Sequence, residues 1–274
     1  MYNLEYLGKV GGWRWLVRNL VRQLHKRVLR TEHSMKLPSG AIFPLPLNSH
    51  LASEAYVSSG DIDDGCERMF LSMIKPGGVV YDVGANIGYY SVYVSPVVSK
   101  CYAFEPSPKT SEVLRRVVAP FPNIVHVPLA VSSSSRTTMF YEEPSMEVSG
   151  LKARTENARP VPVKVTTLDD FSADARDHVD AIKIDVEGYD LEVLKGSRNL
   201  IARDQPLILT EAKADERLFA FSEEVGCRVF TNVWRGRQSG YVTVELSRTV
   251  AVTTKMIFLV PPRIQSAFEQ IAYR

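Results

Sequence analysis

The sequence is poor in cysteine and has no long apolar segment. Its three cysteines, Cys66, Cys101 and Cys227, are odd in number and far apart, without the paired spacing of zinc ligands. This scarcity argues against a disulfide framework and a cysteine-based metal centre, and it predicts a reducing, cytoplasmic compartment. No apolar run reaches the roughly 18 residues that a membrane-spanning helix needs, and the start shows no signal-peptide pattern. We therefore expect a protein that acts in the cytoplasm.

Acidic residues are scarce at the beginning of the chain only. Residues 1–40 contain eight lysines and arginines but two acids, a net charge of +6, whereas all 274 residues together have a formal net charge of +2. The rest of the chain therefore carries a net charge of −4. A body with this charge has no electrostatic attraction for nucleic acid, so we expect no nucleic-acid partner.

The basic segment at 12–30 has the pattern of one amphipathic helix. Basic residues follow one face: Arg14, Arg18, Arg22 and Lys26. Apolar residues recur at helical spacing on the other: Trp13, Leu16, Val17, Leu20, Val21, Leu24 and Val28. Two interpretations are open. Residues 13–30 lie on an anionic membrane surface or an acidic partner, which would make the protein membrane-peripheral, or the helix packs on the domain with its arginines solvated.

Beyond residue 60, short apolar segments alternate with helical patterns. Strands are predicted at 79–83, 100–104, 124–131, 137–141, 161–167, 181–186 and 207–211. Helices are predicted at 61–74, 89–98, 109–118, 169–175 and 189–202. β-rich segments follow at 228–233, 241–246 and 256–260. This order predicts an α/β domain with a doubly wound, mostly parallel sheet and an antiparallel C-terminal edge. We assign residues 1–60 to an N-terminal helix and irregular connection, and residues 61–274 to the domain.

The turn after the first domain strand has the features of a cofactor site. Asp82 lies at the strand end, and Gly84, Asn86 and Gly88 follow in a turn that enters a helix. Glycines can adopt positive φ there and let a ligand approach the backbone, while helix N-terminal amides can receive a carboxylate. Glu105 ends the second strand 21 residues after Gly84, close to the spacing at which an acidic residue binds ribose hydroxyls.

These features together predict a ligand that contains adenosine. The G-x-G-x-x-G pattern that brings backbone close to a pyrophosphate is missing, which disfavours a nicotinamide dinucleotide. S-adenosylmethionine has no pyrophosphate, so we expect it as the cofactor. The alternative is a tight turn without a ligand, with Glu105 as an exposed strand end.

Three charged residues interrupt a strand that should be central and apolar. Lys183, Asp185 and Glu187 alternate and would therefore point to one side of the sheet. Burying an unpaired charge costs several kcal/mol or more, so charges at this place indicate chemistry at the C-terminal edge of the strand. The alternative is an ion pair of Lys183 with Asp185 or Glu187 that only stabilises the sheet.

Several motifs in one order resemble the FkbM methyltransferase family over roughly residues 75–215. They are DVGANIG at 82–88, FEP at 104–106, TLDD at 167–170, IKIDVEG at 182–188 and VLKG at 193–196. Asp190 departs from the pattern, because the family often has glutamate there. The resemblance implies the class I methyltransferase fold, a Rossmann-like seven-stranded sheet, here with an N-terminal helical extension. It also implies methyl transfer, usually to a hydroxyl oxygen of a sugar, glycoconjugate or other small metabolite.

Transfer of a methyl group from a sulfonium to an alcohol is an in-line displacement that benefits from alignment and from a general base. We expect Asp185 to contact the cofactor and to act as the base, with Glu187 as the second candidate for the base. Lys183 would orient these carboxylates or tune their pKa values. We expect no metal, although Asp185, Glu187 and Glu211 offer oxygen ligands of the kind that Mg²⁺ prefers. Acceptor choice is assigned to the first 70 residues, the last 60 and the loop at 142–158. The alternative function is a non-catalytic binding or assembly protein that docks through its N-terminal helix.

Overall fold

A computed structural model describes residues 11–146, 149–234, 241–249 and 254–273 of the chain. Its helices are α1 (Gly12–Leu24), α2 (His50–Val57), α3 (Cys66–Met73), α4 (Tyr89–Val94), α5 (Pro108–Val118), α6 (Leu168–Ala175), α7 (Asp190–Lys195), α8 (Arg198–Asp204), α9 (Glu216–Glu224) and α10 (Gln265–Ala272). A π-helical turn, His25–Leu29, continues α1, and a 3₁₀ turn, Pro262–Ile264, precedes α10.

The strands belong to three sheets within the described residues. They are β1 (His33–Lys36), β2 (Ile42–Leu45), β3 (Val79–Val83), β4 (Lys100–Phe104), β5 (Ile124–Val127), β6 (Ala130–Val131), β7 (Arg136–Glu142), β8 (Arg159–Thr166), β9 (Ala181–Ile184), β10 (Leu207–Thr210), β11 (Arg228–Trp234), β12 (Tyr241–Glu245) and β13 (Ile257–Val260). The main sheet has the order β12-β11-β13-β10-β9-β3-β4-β5. A small sheet, β6-β8-β7, and the hairpin of β1 with β2 flank it.

Five neighbouring strands of the main sheet, β5, β4, β3, β9 and β10, are parallel. The strand order reverses between β3 and β9. This is the predicted doubly wound architecture, whose ligand crevice lies where the strand order reverses. The antiparallel edge is also confirmed. The main sheet has eight strands in the described part of the chain rather than seven, because β12 adds to the outside of β11. The last strand, β13, inserts between β10 and β11 and pairs antiparallel with both.

Both faces of the sheet are covered, which explains the continuous apolar runs of its central strands. All four residues of β9, β10 and β13 are buried. One face packs against α3, α4, α5 and α10, and the other against α6 to α9. Side chains from β2, including Phe43 and Leu45, belong to the first of these two cores. The boundary at residue 60 stays a prediction, although residues on both sides of it share one core.

Two predicted elements are divided, each for a local reason. The predicted strand at 124–131 separates into β5 and β6 at Pro128, which has no N–H for a ladder, and β6 pairs with β8 in the small sheet. The predicted helix at 189–202 separates into α7 and α8 at Gly196. A Cβ at Gly196 would lie 2.2 Å from the carbonyl oxygen of Ser132, so the chain turns where two backbones approach closely.

The motif at 167–170 is explained by helix capping. The hydroxyl of Thr167 accepts a hydrogen bond from the backbone N–H of Asp170 (2.9 Å) at the start of α6. The carboxylate of Asp169 accepts from the N–H groups of Leu200 (2.8 Å) and Asn199 (3.2 Å) at the start of α8. These two residues therefore connect two helices rather than contribute to a site.

The predicted N-terminal helix is present, but one of its arginines is buried. Arg22 is fully buried, and its guanidinium donates to the carbonyl oxygens of Leu45 (3.1 Å) and Pro46 and to Ser53 Oγ (3.2 Å). The expectation of a helix packed on the domain with its arginines solvated is therefore wrong for Arg22. Of the helices in the described ranges, none combines the length and apolar character needed to cross a membrane.

Candidate active site

A cavity of about 290 Å³ opens at the C-terminal ends of the parallel strands. Residues that end or directly follow β3, β4, β9 and β10 line it: Val83, Gly84, Phe104, Glu105, Asp185 and Glu211. Parallel strands that meet at one edge bring these positions together although they are distant in the sequence. The cavity is therefore at the place where a doubly wound sheet binds its ligand.

The turn after β3 forms one wall of the cavity. Its amides of Gly84 (3.1 Å) and Ala85 (2.9 Å) donate to the carbonyl oxygen of Phe104, which holds the turn against the end of β4. Gly84 and Gly88 have φ of 75° and 86°, as predicted. Their small size is also required by neighbouring parts of the chain. A Cβ at Gly84 would lie 1.9 Å from the carbonyl oxygen of Asp185, and one at Gly88 would lie 2.7 Å from Leu114 Cδ1. These glycines make room for neighbouring chain, and Gly88 does not line the cavity.

Asp82 lies behind the cavity wall. It is buried, and its Oδ2 accepts from Ser91 N (2.9 Å) and Ser91 Oγ (2.6 Å) in the first turn of α4. Its Oδ1 has no hydrogen-bond partner among the described residues and lies 3.6 Å from Lys183 Nζ. Asp82 therefore positions α4 and Lys183, and the structure does not bring it to the cofactor cavity.

Glu105 and Asn86 present polar groups inside the cavity. The carboxylate of Glu105 accepts from the N–H groups of Asn86 (3.1 Å) and Ser107 (2.9 Å). Burial raises the pKa of Glu105 to about 7, although these two hydrogen bonds lower it. The side-chain oxygen of Asn86 is buried and has no partner within the described ranges. Glu105 is thus a buried strand end, not an exposed one.

The groups around Glu105 fit the adenosine part of S-adenosylmethionine. A carboxylate oxygen can accept from ribose hydroxyls while it also accepts from a backbone N–H. Asn86 leaves one amide oxygen for a donor. The adjoining wall is apolar, as an adenine ring requires, and consists of Phe104, Pro106, Leu129, Ala130, Val131 and Phe140.

Lys183 and Asp185 form the charged centre of the site. Lys183 Nζ donates to the carbonyl oxygen of Gly84 (3.0 Å) and lies 3.5 Å from Asp185 Oδ2 and 5.3 Å from the centre of the Tyr90 ring. Burial lowers the pKa of Lys183, but the carboxylates of Asp185 and Asp82 outweigh it and raise the pKa above its ordinary value. Lys183 is therefore a buried cation, and Asp185, which is partly exposed, faces the cavity beside it.

Glu187 is not on the strand where the sequence pattern placed it. β9 ends at Ile184, and Glu187 adopts φ of 54° in the loop that follows. Its carboxylate lies 2.6 Å from the guanidinium of Arg154, which comes from the loop after β7. Burial raises the pKa of Glu187, and Arg154 opposes this shift. Glu187 lines the cavity, but it pairs with Arg154, whereas Asp185 pairs with Lys183.

Glu211 lies beside Asp185 at the rim of the cavity. Loss of water around its carboxyl group, followed by the neighbouring carboxylate of Asp185 with which it shares a hydrogen bond, raises the pKa of Glu211 to about 8. Asp190 is buried nearby and accepts a hydrogen bond from Thr210 Oγ1 (3.3 Å). No cluster of three or more His, Cys, Asp or Glu side chains suited to a metal ion occurs in the part of the chain that the structure describes.

The far wall of the cavity contains polar residues that sequence reasoning missed. Tyr90 OH donates to Asp63 Oδ2 (2.7 Å), and Lys255 Nζ lies 2.9 Å from Asp63 Oδ1. Lys255 also donates to the carbonyl oxygen of Ile62 (2.8 Å) and lies 3.6 Å from Glu54 Oε1. Residues near 60 and near 255 meet through the fold alone, so nothing in the local sequence indicates the contact.

Two solved structures of low sequence identity are similar to this chain. The methyltransferase FkbM from Methylobacillus flagellatus has 13% sequence identity and a TM-score of 0.44, covering 76% of this chain and 52% of that one. A Pyrococcus abyssi tRNA (uracil-54, C5)-methyltransferase, solved in complex with S-adenosyl-L-homocysteine, has 11% identity and a TM-score of 0.43, covering 84% and 44%.

A curated relative and a family model are more informative. The hexuronic acid methyltransferase AglP of Haloferax volcanii is 32% identical over 137 residues, which are 49% of this chain and 56% of that protein. The match thus spans little more than half the length of that relative. The model of the methyltransferase FkbM domain matches residues 82–229, more than half of this chain, from the end of β3 to β11. The chain belongs to the FkbM family of S-adenosylmethionine-dependent methyltransferases.

Proposed function

We propose that the protein transfers the methyl group of S-adenosylmethionine to a hydroxyl oxygen of a sugar, glycoconjugate or secondary metabolite. The observation that carries this proposal is the carboxylate of Asp185, which faces the cavity beside the buried cation Lys183 and in the same space as Glu105. The name of the curated relative, a hexuronic acid methyltransferase, supports a sugar as the acceptor.

In this proposal, Glu105 and Asn86 hold the adenosine part of the cofactor. The bound cofactor supplies a methyl group on a positively charged sulfur. Gly84 contributes backbone to the same wall, whereas Asp82 and Gly88 act indirectly, through Lys183 and through the packing of α4 on α5. Two of the six predicted cofactor contacts thereby become positioning residues.

Asp185 is proposed as the general base that takes the proton from the acceptor hydroxyl. Alcohols have a high pKa, so a carboxylate at hydrogen-bond distance contributes on the order of 10²- to 10⁴-fold to the rate. Lys183, whose Nζ lies 3.5 Å from Asp185 Oδ2, holds Asp185 in place. Glu187 remains the second candidate, but its bond to Arg154 occupies part of its carboxylate.

The acceptor is proposed to bind between three segments that were assigned to acceptor choice from the sequence. Asp63 and Tyr90 present oxygens, Lys255 presents an ammonium group, and residues from the loop after β7, such as Ser149, complete the wall. Carboxylates and hydroxyls are suitable hydrogen-bond partners for the many hydroxyl groups of a sugar.

The test is methyl transfer to a panel of hexuronic acids and neutral sugars, with product detected by mass spectrometry as a gain of one methylene. Asp185→Asn should reduce kcat by about 100-fold or more while the Kd for S-adenosylmethionine stays within about threefold. Asp174→Asn, which changes an exposed acid on α6, is the matched control. Unchanged turnover in Asp185→Asn would remove this residue from the mechanism.

The product itself distinguishes two oxygen acceptors. Methylation of a hydroxyl gives an ether that resists mild alkali, whereas methylation of a uronic acid carboxylate gives an ester that alkali hydrolyses. A carboxylate is already ionised and needs no base, so an alkali-labile product would argue against the proposed role of Asp185. Absence of cofactor binding in calorimetry at near-millimolar ligand would support the non-catalytic alternative.

A further inference from the structure

The outward face of α1 is apolar. Its residues are between 39% and 75% exposed: Trp13, Leu16, Val17, Leu20, Leu24, Val28 and Leu29. In a helix of 3.6 residues per turn, the five within α1 fall in an arc of about 100°. Large apolar side chains exposed singly are ordinary, but a contiguous stripe of this kind marks an interaction surface.

The polar face of α1 holds the helix in this orientation. Arg18 and Arg22 project from the side opposite the apolar stripe. Arg18 Nη1 donates to the carbonyl oxygen of Tyr56 (2.6 Å), and its guanidinium lies 5.2 Å from the centre of the Tyr56 ring. Arg22 makes its three hydrogen bonds to the loop after β2 and to α2. Rolling the helix to bury its apolar stripe would break all of these bonds, so the stripe is directed outward by specific contacts.

Exposed cations surround the stripe. Arg14, Arg27 and Arg30 are exposed along the helix and its π-helical continuation. No acidic residue occurs between Glu5 and Glu32. A second copy of the chain on this face would bring like charges together, which is unfavourable. A bilayer with anionic lipids offers negative charge for the arginines and an apolar layer for the stripe at the same time.

We propose that α1 docks the enzyme on the surface of an anionic lipid bilayer, with the helix in the plane of the interface and the apolar stripe inserted. Trp13, at the start of the stripe, would lie at the headgroup level, where tryptophan is enriched. Arg18 and Arg22 keep the catalytic domain attached to the inserted helix, so the domain stays on the water side of the interface. This inference is independent of the acceptor assigned above.

The experiment is co-sedimentation of the full chain with vesicles of phosphatidylcholine alone and of phosphatidylcholine with phosphatidylglycerol. Binding is expected to the mixed vesicles and to fall steeply as salt is raised. Leu16→Ser, Leu20→Ser and Leu24→Ser should each weaken binding by about tenfold. Arg14→Gln and Arg27→Gln should each weaken it by about fivefold.

Matched control variants test whether the loss of vesicle binding is specific to the apolar stripe and its cations. Val125→Ser, Met139→Ser and Ile271→Ser change apolar residues of similar exposure elsewhere, and Lys164→Gln changes an exposed cation on β8. These variants should bind as the wild type does, and unchanged circular dichroism should show that all variants are folded. Equal sedimentation of the stripe variants and the wild type would overturn the proposal. So would self-association of the wild type, without vesicle binding, that the Leu20→Ser variant abolishes.

Discussion

At the scale of single residues, the carboxyl groups at the cavity rim set the pH dependence of the site. The pKa of Glu211 is raised to about 8, first by the loss of water and then by Asp185, with which it shares a hydrogen bond. Around neutral pH Glu211 therefore holds a proton, and Asp185 is released from this hydrogen bond only as the pH rises above about 8.

We expect kcat to rise with pH and to level off above about pH 8. Glu211→Gln removes the carboxyl group that loses its proton near pH 8, so the rising limb at that pH should disappear. Glu216→Gln, an exposed change on α9, should leave the profile in place. The measurement is kcat at saturating acceptor between about pH 5 and 9. A limb that stays in place in Glu211→Gln would contradict its assignment to Glu211.

Ionisation of Glu105 should favour cofactor binding and lower the stability of the fold. Burial raises its pKa to about 7 from an ordinary value of 4.5, so the folded protein binds the proton more tightly than the unfolded chain does. The free energy of unfolding should therefore fall as pH rises from about 4.5 to 7, by about 3 kcal/mol in total. The ionised carboxylate, which accepts best from hydroxyls, is present above pH 7.

Glu105→Gln should accordingly be more stable than the wild type at about pH 8 and bind S-adenosylmethionine at least about tenfold more weakly. Urea unfolding and calorimetric Kd values at about pH 6 and 8 provide the two measurements. The wild-type Kd should increase below pH 7, whereas that of Glu105→Gln should not change with pH. A variant that loses both stability and binding would indicate that Glu105 has only a structural role.

At the scale of elements, the glycines on either side of β3 differ in how much space they have for a side chain. Gly77, Gly84 and Gly88 all have positive φ, but an added Cβ would meet nothing within 4 Å at Gly77, a flexible leucine side chain at Gly88, and a backbone carbonyl at Gly84. Positive φ alone costs an L-residue about 1–2 kcal/mol.

Gly77→Ala should therefore lower the free energy of unfolding by about 1–2 kcal/mol, Gly88→Ala by slightly more, and Gly84→Ala by at least about 3 kcal/mol. Gly84→Ala should also weaken cofactor binding, because the carbonyl of Asp185 must move away from the turn. Urea unfolding of the three variants gives the order. Equal losses at Gly77 and Gly84 would show that the close approach to Asp185 is not important.

At the scale of the whole molecule, the last strand, β13, completes the main sheet by inserting between two earlier strands. β13 lies between β10 and β11 and pairs with both, and α10 packs over it through Phe268, whose ring is 5.3 Å from Phe258 and 5.0 Å from Phe230. β11 has no other connection to the parallel part of the sheet in the described ranges.

Ending the chain after residue 253 should therefore abolish cooperative folding, because β11 and β12 lose the strand that joins them to β10. Ending it after residue 261 keeps β13 and removes α10, so this matched control should fold with a lower free energy of unfolding. Denaturant unfolding followed by circular dichroism separates the two outcomes. A cooperative transition in the shorter chain would show that the parallel strands fold without their edge.

The sequence predicted some residues of the site correctly and misplaced others. The turn at 84–88, Glu105, Lys183 and Asp185 were predicted because each lies at the end of a strand or directly after it, in a recognisable local pattern. Parallel strands necessarily bring their C-terminal ends to one edge. The motifs did not reveal that Asp82 and Gly88 lie behind the wall, since a motif records which residues occur and not which way their side chains point. Glu187 was misplaced because strand alternation was extended past the point where the backbone leaves the strand.

The order of strands and helices, the family and the cofactor were determined by the sequence itself, through periodicity and short motifs that report local physical requirements. Only the tertiary structure decided the rest. The meeting of Asp63 with Lys255, the insertion of β13 and the outward apolar face of α1 all depend on contacts between distant segments. Amphipathic spacing shows that a helix has two faces. Which face is buried is decided by the partners that the fold supplies, here two carbonyl oxygens and a serine for Arg22.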